Sequence, residues 1–153
     1  MKQTEWAAQR TDNFFLKRAL PEGAYFTAID HARKMTLAAG AQRKARGIKP
    51  GIPDWLIVWN GITLWIERKA GSSLSENQKL FRDQIRENGH LWALATSLED
   101  VEMACRDAGI PLRATVAAVR IPEPLAPKKP RARKAAPRYL AGKRVVARAG
   151  GML

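Results

Sequence analysis

Two apolar runs, Trp55-Leu56-Ile57-Val58-Trp59 and Ile62-Thr63-Leu64-Trp65-Ile66, are separated only by Asn60-Gly61. Asn-Gly is the pair that best accepts the two positive φ angles of a type I′ turn, so the stretch reads as a β-hairpin. With Asn60 and Gly61 as the turn, counting outward sets the register. Trp59 faces Ile62, Ile57 faces Leu64, Trp55 faces Ile66 and Asp54 faces Glu67. Directly opposed side chains share a face, with Cβ atoms about 4.5–5.5 Å apart. Lys69 follows Glu67 on that face, about 6.6 Å further along the strand. Two carboxylates and an ammonium group therefore converge on one end of the hairpin.

Like charges directly opposed across a ladder are destabilising. Strands apolar on both faces suggest a buried, central position in a sheet, where charged groups are rarely found unpaired. One reading is a wet hairpin end at which Glu67 and Lys69 form a solvated ion pair. The other is a divalent cation between Asp54 and Glu67, with magnesium or manganese suited to these hard oxygen ligands. The forced pairing of Asp54 with Glu67 favours the cation.

Pro53-Asp54, a hydrophobic hairpin and Glu67-Arg68-Lys69 resemble the PD-(D/E)xK nuclease superfamily. The longer string also includes Gly47, Gly51-Ile52, Ser75, Gln78, Gly89 and Ser97-Leu98-Glu99-Asp100, and it resembles the VRR-NUC domain, the virus-type replication-repair nuclease, from about Thr4 to Ala108. The resemblance implies a restriction-endonuclease-like fold and a DNA nuclease dependent on Mg2+ or Mn2+. It implies catalytic roles for Asp54, Glu67, Lys69 and Gln78, with Gln78 near the scissile phosphate. It also implies metal ligation by Asp54, Glu67, the backbone carbonyl of Arg68, and Glu5 on the first helix. Glu5 has a simpler explanation, as a favourable charge at a helix N-terminus.

The chain has 153 residues and a formal charge of +13, which points to an anionic partner. The charge is uneven. Residues 122–153 hold nine Lys/Arg against one acid, a net +8, and leave +5 for residues 1–121. The segment 122–153 is rich in Pro, Ala, Lys and Arg and poor in bulky apolar residues, so it reads as a flexible basic tail. Lys128, Lys129, Arg131, Arg133 and Lys134 are its candidate phosphate contacts; a merely solubilising extension is the alternative. A single cysteine, Cys105, excludes an intramolecular disulfide and fits a reducing compartment. No run approaches the roughly 18 apolar residues of a membrane span, and the N-terminus lacks a secretory core. A soluble, cytoplasmic, DNA-associated protein is expected.

Helices are predicted from Thr4 to Leu20, Arg33 to Arg46, Ser75 to Asn88 and Ser97 to Ala108. Strands are predicted from Tyr25 to Ile29, across the hairpin, from His90 to Thr96, and over Ile110 to Ile121. The order gives an α/β architecture with one mixed sheet flanked by helices. Leu80, Phe81 and Ile85 make the core face of the third helix, and Leu91 to Ala95 are the buried part of the following strand. Ser75 to Gln78 form a capping box. Cys105 reads as an inert packing residue, and His31 as a surface residue at a strand end. Lys44, Arg46, Lys49, Lys79 and Arg82 surround the acidic site in sequence; they are either a solvated face or phosphate contacts. The glycines of Gly47-Ile48-Lys49-Pro50-Gly51 permit either a plain turn or a close backbone approach.

No Cys/His cluster supports zinc. No Gly-rich loop ends in Gly-Lys-Ser/Thr, and no Ser–His–Asp set stands out. The expected activity is hydrolysis of DNA phosphodiesters, on branched or junction DNA in replication, repair or recombination, by a homodimer that cuts both strands. The alternatives are a non-catalytic nucleic-acid-binding protein that uses the tail, and a ribonuclease on the same scaffold.

Overall fold

In a computed structural model of the chain, which describes residues 5–29 and 36–122, the Asn60-Gly61 turn takes the positive φ angles that its sequence demands, 41° and 79°. It joins β2 (Trp55–Trp59) to β3 (Ile62–Arg68) in the predicted register, with Trp59 opposite Ile62, Ile57 opposite Leu64 and Trp55 opposite Ile66. The other elements are α1 (Glu5–Ala19), β1 (Tyr25–Ala28), α2 (Leu37–Ala45), α3 (Glu76–Glu87), β4 (Leu91–Ala95) and α4 (Leu98–Asp107). The four strands lie in the order β1-β2-β3-β4. β1 and β2 pair antiparallel, whereas β3 and β4 pair parallel, so the sheet is mixed. The apolar hairpin strands occupy its two central positions, as strands apolar on both faces require.

The core is built from α1, α4 and the alternate residues of β2 and β3. Phe15, Leu16 and Ala19 of α1 join Trp55, Ile57, Leu64 and Ile66, together with Leu98, Val101 and Cys105 of α4. Burial pushes the Cys105 thiol up to about 12, which leaves it an unreactive packing group. On β3, Trp65 meets Phe81 of α3 edge-on, with ring centroids 5.2 Å apart. Ser75 and Ser97 each form a full capping box, with Gln78 and Asp100 respectively.

Four expectations are corrected. α2 opens at Leu37 rather than Arg33, because Thr36 has extended backbone and caps the helix through its hydroxyl. Leu80 is 62% exposed, since the sheet-facing stripe of α3 runs through Gln78, Phe81 and Ile85. Leu91 and Leu94 are exposed because β4 is an edge strand. Residues 110–121 form no strand. Their backbone donors go to helices instead: Arg113 N donates to Ala19 O (2.7 Å) and Val116 N to Glu102 Oε2 (2.6 Å), and a short 3-10 helix spans Val116–Ala118. No helix among the described residues is long and apolar enough to cross a membrane. The predicted tail lies outside the described residues except for Pro122, as do Asp30 and His31.

Asp12, on the buried face of α1, ties the helices to the sheet. It stands three, four and seven residues before Phe15, Leu16 and Ala19, and has no solvent exposure. Its Oδ2 accepts from Trp55 Nε1 (3.3 Å) and lies 2.8 Å from Arg68 Nε. Arg68 Nη1 donates to Ser97 O at the start of α4, at 2.6 Å. The Arg68 Nε hydrogen is poorly aligned and Asp12 Oδ1 has no partner among the described residues, so the contact is an ion pair rather than a full hydrogen bond. Burial outweighs the guanidinium and pushes the Asp12 carboxyl up to about 6. Removing one partner of a buried pair strands the other charge, at a cost of about 3–5 kcal/mol. Asp12→Ala is therefore expected to destabilise the protein by about 3 kcal/mol in urea denaturation. Asp12→Asn, which can keep the Trp55 bond, should lose less. A loss below about 1 kcal/mol for Asp12→Ala, the value of an exposed pair, would contradict this role.

Candidate metal centre

The ladder of β2 and β3 ends at Trp55 and Ile66, and one further step in register sets Asp54 against Glu67. Both are buried, at 6% and 4% exposure. Each has specific donors. Asp54 Oδ2 accepts from the backbone N–H of Arg68 (2.8 Å), and its Oδ1 from Gln9 Nε2 (3.3 Å). Glu67 Oε1 accepts from Gln78 Nε2 (2.5 Å) and lies 3.3 Å from Lys69 Nζ. Glu67 Oε2 accepts no hydrogen bond among the described residues. The sequence count thus brings Asp54, Glu67 and Lys69 together as expected. Gln78 fills two roles, because its Oε1 accepts from Ser75 N (3.0 Å) while its Nε2 holds Glu67.

A cleft of about 510 Å³ opens over this group. Asp54, Glu67, Arg68 and Lys69 line it from the sheet, Pro50 to Ile52 from the preceding loop, and Ser75, Asn77 and Gln78 from the N-terminal end of α3. The loop and the helix touch. A Cβ added at Gly51, where φ is 86°, would stand 2.4 Å from Asn77 C and O and 2.8 Å from Gln78 N. Of the two readings left open for the glycines, close approach holds at Gly51, and what it approaches is the backbone that carries Gln78. Gly51→Ala must therefore displace the start of α3. The expected result is a lower melting temperature, together with a raised solvent-exchange rate for the Gln78 side-chain amide protons seen by NMR; an unchanged melting temperature would contradict the contact.

Two carboxylates lining one cleft, with one Glu67 oxygen uncommitted among the described residues, fit a cation that takes one or two carboxylates and otherwise keeps its waters, as Mg2+ does. Among the described residues there is no group of three or more His, Cys, Asp or Glu that could hold a metal, so a protein-only zinc cage is not formed by them. The Glu5 side chain lies outside what is described. Of the candidate phosphate contacts, Lys44, Arg46, Lys49, Lys79 and Arg82 do not line the cleft. Lys79 pairs with Glu76 and Arg82 with Asp83, each at 2.7 Å. The five tail residues lie outside the described residues. Asp12 and Gln9 are the contributors that the sequence reading missed. Asp12 had a signal, an acid in phase with a buried helical stripe; Gln9 had none. The chain matches no family model and no curated protein sequence.

Burial, and then the negative charge of Asp54, push the Glu67 carboxyl up to about 7 against Lys69 and Gln78. Between its ordinary value of 4.5 and about 7 the folded protein holds a proton that the unfolded chain has released. Stability therefore falls as pH rises through that window. Asp12 contributes with the same sign over a lower range. In chelator, thermal melts from pH 5 to pH 8 should show this decline, and Glu67→Gln should flatten its upper part. Identical slopes for the two proteins would contradict it.

Proposed function

We propose that the protein is a metal-dependent nuclease that hydrolyses DNA phosphodiester bonds on a restriction-endonuclease-like scaffold, as the VRR-NUC resemblance implies. One observation carries the reading: Asp54 and Glu67 are both buried one register step beyond the last β2–β3 pair, with Lys69 Nζ 3.3 Å from Glu67 Oε1, at the wall of an open cleft. A hairpin built for stability alone would not oppose two buried acids. Asp54 and Glu67 would hold Mg2+ or Mn2+, which supplies charge neutralisation for the phosphate and acidifies a ligated water.

The chain's own groups then have separable tasks. The Arg68 N–H and Gln9 fix Asp54 with both oxygens engaged, while Gln78 and Lys69 hold Glu67 by one oxygen. Lys69 is the cation placed to orient the attacking water and to stabilise the charge that develops on phosphorus oxygens. The first turn of α3 adds the positive end of a helix to the same cleft, where an anionic group is favoured.

The test is a panel of single-stranded, duplex, flapped, four-way-junction and RNA substrates, with and without Mn2+. Metal-dependent cleavage of DNA is expected. Asp54→Ala, Glu67→Ala and Lys69→Ala should each lower the rate by on the order of 10²–10³ or more, the loss typical of one stabilising group, with circular dichroism unchanged. Wild-type activity in Lys69→Ala would sink the mechanism.

A further inference from the structure

A second cleft, of about 550 Å³, lies between α1 and β1. Its polar lining comes from Gln9, Arg10, Asn13 and Lys17 of α1 and from Thr27 of β1. Gln9, Asn13 and Lys17 follow one another at four-residue spacing and so form one stripe along the helix, about 12 Å long. None of the described residues lining this cleft is Asp or Glu. Asn13 and Lys17 make no side-chain hydrogen bond or ion pair among the described residues, and Lys17 is exposed. The Asn13 amide and the Lys17 ammonium, side by side on this stripe, suit an anionic ligand with several oxygen acceptors. The groove is also tied to the candidate metal centre, because Gln9 lines it and donates to Asp54 Oδ1 (3.3 Å).

The geometry points to this α1–β1 groove as a second seat for the substrate, holding the phosphodiester backbone that flanks the bond to be cut. The inference rests on the nuclease reading for its ligand. Measured along a duplex axis, a 12 Å stripe spans roughly three base-pair steps of 3.4 Å. Lys17 and Asn13 contact phosphate oxygens there, and the strand passes from this groove across Asp54 into the cleft beside Glu67. Contacts of this kind set position and affinity without reading sequence.

The experiment measures binding of a fluorescent 30-base-pair duplex and of a single strand to the full chain by anisotropy, in chelator, over a series of salt concentrations. The proteins compared are wild type, Lys17→Gln, Lys17→Glu, Asn13→Ala and Asp54→Ala. Loss of one phosphate contact lowers the slope of log K against log salt by about 0.9 on duplex or 0.7 on a single strand. Both Lys17 variants should show that drop and a raised KM for cleavage, and Asn13→Ala should bind more weakly. Lys17 is exposed, and the uncharged Lys17→Gln guards against misfolding in the charge reversal. Wild-type affinity and slope in both Lys17 variants would overturn the groove, whatever happens to cleavage. If instead wild type never cuts under any metal while the Lys17 variants lose slope, the nuclease reading fails and the groove stands as a nucleic-acid contact.

Discussion

The register of the β2–β3 hairpin is the constraint on which the other features depend. A slip of one residue would turn every side chain of a strand to the opposite face. Asn60 and Gly61 remove that freedom because they accept the positive φ angles, 41° and 79°, that a two-residue turn imposes. Once the turn is set, Trp55, Ile57, Leu64 and Ile66 must all point into the core. Asp54 must then meet Glu67. The core and the candidate metal centre are thus two consequences of one pairing, and neither can be shifted without the other.

That pairing creates electrostatic tension, and the surrounding chain contains it. Glu67 is pushed up to about 7 by burial and by Asp54. Asp12, beneath the same strand end, is pushed up to about 6 although Arg68 stands beside it. Arg68 connects the two acids: its guanidinium meets Asp12 and the start of α4, while its backbone N–H holds Asp54. The strand end is consequently tied to α1 and α4 where it carries the carboxylates. Gly51 brings α3 against the same end, since only a residue without Cβ lets the loop lie against Asn77 and Gln78. The proposed cation would meet a site held from three sides, with one Glu67 oxygen free of hydrogen bonds among the described residues.

Local backbone chemistry was legible in the sequence. The turn, the capping boxes at Ser75 and Ser97, and the order of helices and strands all follow from short-range preferences. What escaped depends on distant partners. Gln9 reaches Asp54 across the fold, and nothing in its neighbours marks it. Leu80, Leu91 and Leu94 count as core by hydrophobicity, but their exposure is decided by which face of α3 turns to the sheet and by β4 lying at the edge. Residues 110–121 carry strand-like composition, yet Arg113 and Val116 spend their N–H groups on α1 and α4. Charge was the least informative signal for the site. Lys79 and Arg82 pair with the neighbouring acids Glu76 and Asp83 and do not line the cleft.

The proposed chemistry requires Asp54 and Glu67 to form a divalent-cation site. Calorimetric titration of Mn2+ into the full chain, repeated in buffers of different ionisation enthalpy, tests it most directly. A ligating carboxylate must be deprotonated, so binding at pH 6 should release on the order of one proton, falling toward zero at pH 8.5, with Asp54→Asn and Glu67→Gln each weakening binding. Absence of Mn2+ binding, or binding that releases no proton at pH 6 and survives both substitutions, would contradict the account.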